Sequence, residues 1–162
     1  MNRALGYFLI AVFSIFFGSQ VSEGFLLVPY WKSLSAPAFY KYYSQFGLTI
    51  GRFYTILTII AALIPVSISI YGFYKKSNAL TYSLISTVFT FSCIALFYIY
   101  FKGINQQFFN ASFNPTQLKS ELETWEYVHW FRVFLELIAL IFLMLSLTVL
   151  TKKELNTNIQ TI

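Results

Sequence analysis

The sequence predicts an all-α protein, a transmembrane up-down four-helix bundle with two long loops on one face. Three observations predict it. Of 162 residues, 57% are hydrophobic and only 10% are charged, whereas soluble domains carry about 25% charged residues. Four apolar runs reach the roughly 20 residues needed to cross a hydrocarbon core. The runs are too long and continuous for barrel strands, and lipid leaves the helix as the remaining way to satisfy the backbone.

The whole chain, 1–162, reads as a single membrane domain with a polar tail over 151–162. Span one covers residues 4–28. Its basic start resembles a secretory leader, but the apolar pattern resumes at Phe25, Leu26, Leu27 and Val28, which favours a full span. Span two, 48–73, contains Pro65, which a membrane helix tolerates. A tight turn with Lys75 and Lys76 leads to span three, 80–101, and span four covers 128–150. The links 29–47 and 102–127 are read as long loops on one side, with Pro37 opening a short helix over 38–46. Tyr30, Trp31, Tyr40, Tyr42, Tyr43, Trp125, Tyr127 and Trp130 fall in or beside those links, as an interfacial aromatic belt does. The tail from Glu154 to Ile162 is expected to fray.

Composition narrows the chemistry. The eleven Lys and Arg are scattered, so no basic face for nucleic acid forms. One histidine and one cysteine are too few for a self-contained iron, copper, haem or thiolate site, and no metal or cofactor is expected. Cys93, inside an apolar run, reads as a packing residue. Arg3, Lys75, Lys76, Lys152 and Lys153 lie in short segments next to the spans on the side of both termini. The positive-inside rule therefore puts the termini in the cytoplasm.

The informative residues are polar ones within the spans, where an ionisable group costs about 2.5–3.5 kcal/mol on insertion scales. Gln20 and Glu23 are three apart on span one. Arg52 opens span two and Asn105 lies just past span three. Trp125, His129, Arg132 and Glu136 are spaced 4, 3 and 4, a single stripe of one helix. Up-down topology brings all of these to one membrane face. The charges of Glu23 and Glu136 would there balance Arg52 and Arg132 around a pocket open toward the long links.

The run Asn105-Gln106-Gln107-Phe108-Phe109-Asn110, then Trp125, then His129 with Arg132 three later, resembles the anthrone-oxygenase-like family of small four-helix membrane proteins. Val28-Pro29-Tyr30-Trp31 matches an early Pro-containing segment of that family. The layout matches over nearly the whole chain. The asparagine-rich segment departs from the N-x-P-x-N pattern, with Gln107 in place of the proline and the second asparagine one residue later.

The resemblance implies kinship with enzymes that oxidise anthrones with molecular oxygen and no bound cofactor, and an integral protein of a bacterial cytoplasmic membrane. On that reading His129 is the general base, Glu136 or Glu23 orients it, and Arg132 and Asn105 stabilise an oxyanion. Gln20, Glu23, Arg52 and Trp125 then bind a hydrophobic aromatic substrate. The alternative is a non-catalytic protein holding a lipid, quinone or partner helix in the same pocket. The expected surroundings are the lipid bilayer, with a hydrophobic small molecule or lipid as ligand and a homo-oligomer or another membrane protein as potential partner.

Overall fold

The computed structural model describes residues 2–160, and side chains through residue 152. Four helices, each long and apolar enough to cross a membrane, form the bundle: α1 (Arg3–Ser33), α2 (Ala36–Tyr74), α3 (Ala79–Phe109) and α4 (Pro115–Lys152). The backbone of α4 is helical to Gln160, and residues 161–162 lie outside those described. Connections are short, so sequence neighbours run antiparallel. α4 packs on both α1 and α3, and α2 packs chiefly on α3.

The long loops are the main correction. Only Leu34 and Ser35 separate α1 from α2, and α3 turns into α4 over residues 110–114. Pro37 does open a helix, but that helix is α2 itself, which continues through Pro65 to Tyr74. The helices contain 31, 39, 31 and 38 residues, or about 45–60 Å at 1.5 Å per residue, against a hydrocarbon core of about 30 Å. Counted from Arg3, Lys75, Lys76 and Lys152, the surplus length falls at the opposite end, the four-helix cap.

Local signals set each end. The Asn2 side chain accepts from the Ala4 amide at the start of α1. At the start of α4, Asn114 and Gln117 exchange side-chain to backbone bonds of 2.9 and 3.1 Å around Pro115, a reciprocal capping box. Tyr40 of α2 donates to the Phe113 carbonyl at 2.8 Å and ties α2 to that turn.

The interior has two parts. Toward the termini it holds Phe13, Phe16, Ala61, Ile68, Leu143 and Leu147. There α3 turns a small-residue stripe, Ala79, Ser83, Ser86, Thr90 and Cys93, inward, which lets backbones approach closely. Ser86 donates to the Ala139 carbonyl at 2.8 Å and Ser146 to the Ala79 carbonyl at 3.0 Å, crossing between α3 and α4. In the cap the interior is aromatic, with Trp31, Phe39, Tyr43, Phe101, Phe108 and Trp125 in edge-on contacts. The residues read as an interfacial belt are thus divided. Trp31, Tyr43 and Trp125 are buried, while Tyr30 and Tyr127 face outward.

Candidate functional site

Between the two interiors lies a polar seam. Gln20 is about 26 Å along α1 from Arg3, and Glu136 about 24 Å along α4 from Lys152. A hydrocarbon layer of about 30 Å starting at those basic residues would put the seam near its far edge. Two irregularities in the helices build it. A π-helical turn spans Glu23–Leu27 in α1 and another spans Phe97–Phe101 in α3. A π-turn accommodates one extra residue and re-aims the helix beyond it, and such turns are frequent at functional sites. Both meet Arg132: Glu23 begins the first, and Phe101 ends the second with its ring 4.4 Å from the guanidinium carbon.

Arg132 is the hub. Its Nη2 lies 2.6 Å from Gln20 Oε1, 3.1 Å from Glu23 Oε2 and 2.7 Å from His129 Nδ1. The opposite nitrogen of His129, Nε2, is 2.9 Å from the Gln20 carbonyl oxygen. These partners fix the tautomer. A carbonyl only accepts and a guanidinium only donates, so Nε2 carries the hydrogen and the Nδ1 lone pair receives Arg132. His129 is 0% exposed, stacked on Trp125 at 5.1 Å and 11°, with both nitrogens in use. Trp125 in turn donates its indole N–H to Asn105 at 3.1 Å.

Glu136 differs from the rest. It is 1% exposed, one helical turn below Arg132, and neither carboxyl oxygen has a hydrogen-bond partner among the described residues. The Nε of Arg132 is also buried without a partner. Cys93 faces the same turn of α4, with Sγ 3.7 Å from the Arg132 carbonyl.

Of the residues singled out from sequence, Gln20, Glu23, His129 and Arg132 meet directly, Trp125 and Asn105 join through the His129 stack, and Glu136 lies beneath. Arg52 does not join them. It is exposed on the outside of α2, because the inward face there passes through Tyr43, Ile50, Tyr54, Leu57 and Ala61, and Arg52 lies two residues from Ile50 and from Tyr54, on the opposite side. The charge balance inferred with Arg52 therefore fails, leaving two carboxyl side chains and one guanidinium in the seam.

A cleft of about 400 Å³ lies at the cap's tip, between the starts of α2 and α4, lined by Lys32, Ser35, Pro37, Pro115, Lys119 and Leu122 among others. The seam residues do not line it. Among the described residues no three His, Cys, Asp or Glu side chains gather as a metal site.

Three seam residues escape a reading of the sequence. Tyr54 donates its hydroxyl to the Ser19 carbonyl at 3.2 Å. Phe101 supports Arg132. Gly24 sits where a Cβ would lie 2.7 Å from the Trp130 ring and 3.1 Å from the His129 ring. Only Gly24 carries a signal, as a glycine next to a charged residue inside a span. No protein-family model, curated protein or solved structure matches the chain.

Proposed function

We propose that the chain is a membrane-embedded enzyme that takes a proton from a hydrophobic aromatic substrate at the seam, with Glu136 as the base. One observation carries this reading: a fully buried carboxyl whose two oxygens are both free of partners, one turn from a guanidinium with an unused N–H. The base role moves from His129 to Glu136 because both nitrogens of His129 are already engaged. His129 then positions Arg132, and Arg132 holds the negative charge that develops as the proton leaves. The resemblance supplies the remainder of the proposal. The carbanion adds to molecular oxygen and is protonated to a hydroperoxide, which then loses its remaining ring C–H proton as the O–O bond breaks, leaving a carbonyl where the ring CH2 stood and releasing the second oxygen atom as water.

The test is oxygen consumption by purified protein with an anthrone-type substrate, wild type against Glu136→Gln. A positioned general base contributes about 10²–10⁴-fold, so Glu136→Gln should lose at least about a hundredfold in rate while retaining the fold. An unchanged rate removes Glu136 from the chemistry.

The second reading, a non-catalytic site or helix lock, is favoured by the three contacts through which Arg132 Nη2 shares its two hydrogens with Gln20, Glu23 and His129. It predicts that Glu136→Gln changes stability and leaves no activity to lose. For either reading we place both termini on the cytoplasmic side of a bacterial cytoplasmic membrane, supported by Arg3, Lys75, Lys76 and Lys152 at one end of the bundle. Reporter fusions at Lys76 and after α4 should both report the cytoplasm, and a split result would remove one crossing.

A further inference from the structure

We infer that the seam takes the hydroxyl group of an uncharged, lipid-soluble molecule, which donates to Glu136 and accepts from Nε of Arg132. The inference rests on the site proposed above but not on proton abstraction there.

Hydrogen-bonding capacity in the seam is unmet. Glu136 presents two buried acceptors and Arg132 one buried donor, all without partners among the described residues. Four residues apart on one helix, the two side chains are neighbours, with Cβ atoms about 5–6 Å apart. Buried polar atoms are nearly always satisfied, so a group that both donates and accepts at one atom completes this pair. A hydroxyl does so. An ether or ketone offers nothing to a Glu136 carboxylate. An ammonium offers nothing to Nε and sits beside a guanidinium. A carboxylate or phosphate adds an anion to a cluster that already holds Glu23 and Glu136 against Arg132 alone.

The route in favours a lipid-soluble carrier of that hydroxyl. Between Tyr43 and Ala61 no described residue of α2 is fully buried, so the wall of the seam is thinnest on that side. Ile56, Ile59 and Ile60 of the same stretch are exposed on the outer, apolar face. Tyr54, bonded to the Ser19 carbonyl, ties α2 to α1 at this level. A molecule dissolved in the bilayer reaches Glu136 by parting α2 from α1, with no passage through the aromatic cap.

The experiment is calorimetric titration of the full chain in lipid nanodiscs, with empty nanodiscs as the blank. The probes share one ring system: naphthol, its methyl ether, naphthoate and naphthylmethylammonium. Naphthol should bind saturably and about tenfold or more tightly than its methyl ether, the margin of one hydrogen bond to a charged group. Glu136→Gln should narrow that preference to a few-fold, because a neutral acceptor is weaker. Glu136→Leu should abolish it, and if that variant does not fold, the Gln variant alone decides. Tyr54→Phe should speed association and leave the preference unchanged.

Equal binding of naphthol and ether overturns the inference, since it describes an apolar site or one filled by water. Tighter binding of the ammonium or of naphthoate overturns it as well. Slower association in Tyr54→Phe rejects the lateral route. Selective naphthol binding without oxygen consumption by any substrate leaves this inference standing and removes the enzyme reading.

Discussion

Followed from one end to the other, α3 changes character at its π-turn. On the terminal side its buried face is Ala79, Ser83, Ser86, Thr90 and Cys93, while Leu84, Val88 and Phe91 point outward. On the cap side its buried face is Phe101 and Phe108, while Lys102, Gln106 and Gln107 point outward. The reversal fits two solvents, lipid around one half and water around the other. Lipid does not drive apolar side chains inward, so the membrane half associates through close packing of small residues and hydrogen bonds between helices. Water does drive them inward, which fits a cap held by large aromatic rings, although Tyr30, Phe46, Phe109 and Tyr127 of the cap stand exposed. The exposed Lys32–Glu126 pair, 2.6 Å apart on that surface, fits an aqueous exterior and adds little stability of its own.

This contrast can be broken most severely in the cap. Phe108→Ala should cost about 3–5 kcal/mol in reversible unfolding from mild detergent, the range for a buried aromatic. Phe13→Ala, equally buried in the membrane half, should cost clearly less, because its unfolded reference in lipid loses packing but no hydrophobic drive. Equal losses would mean that the cap, like the rest, lies in lipid.

At the seam, Arg132→Leu strands Glu23 and Glu136 without a cation and should cost about 3–5 kcal/mol. A nearly neutral result would show that the two interiors fold without this link. Gly24→Ala drives a methyl group into the Trp130 ring and should cost about 1–3 kcal/mol, with a change in tryptophan near-ultraviolet dichroism as its signature. Normal stability with unchanged dichroism would mean that α1 and α4 are less tightly apposed than the 2.7 Å approach requires. The smallest effect is expected for Ser86→Ala, about 0.6 kcal/mol, typical of a hydrogen bond between membrane helices. A loss above about 2 kcal/mol would give hydrogen bonds a larger share of the membrane half than packing.

The same contrast explains which features are legible in the sequence. Four spans and the 125–129–132–136 stripe come from apolar length and helical spacing, and both appear in the fold. The cap is hidden because aromatic residues mixed with lysines resemble a belt at a membrane surface. Yet Leu118, Leu122 and Trp125 continue the spacing of the stripe backward, and extending it turns the second long loop into a helix. Arg52 enters the expected pocket by topology alone, without the helical phase that Tyr54 and Leu57 set. The meeting of Arg132 with Gln20, Glu23 and His129 is legible from topology and spacing, but the two π-turns beside it and the Phe101 ring against it leave no mark in hydrophobic periodicity.

Those π-turns carry a consequence for how such a chain diverges. Each holds one residue more than the α-helical path, so deleting a single residue within 23–27 or 97–101 can restore a regular helix without opening a gap in the bundle. A related chain lacking the extra residue would keep its length in the bilayer and its four crossings. Residues beyond the deletion would keep their phase against α4, so Trp31 would still meet Trp125 and Phe108 would still meet Phe39. Only the turns that set Glu23 and Phe101 against Arg132 would change. In an alignment of relatives, a one-residue gap in the middle of a membrane helix would therefore mark the chains in which the Arg132 neighbourhood differs while the cap is kept.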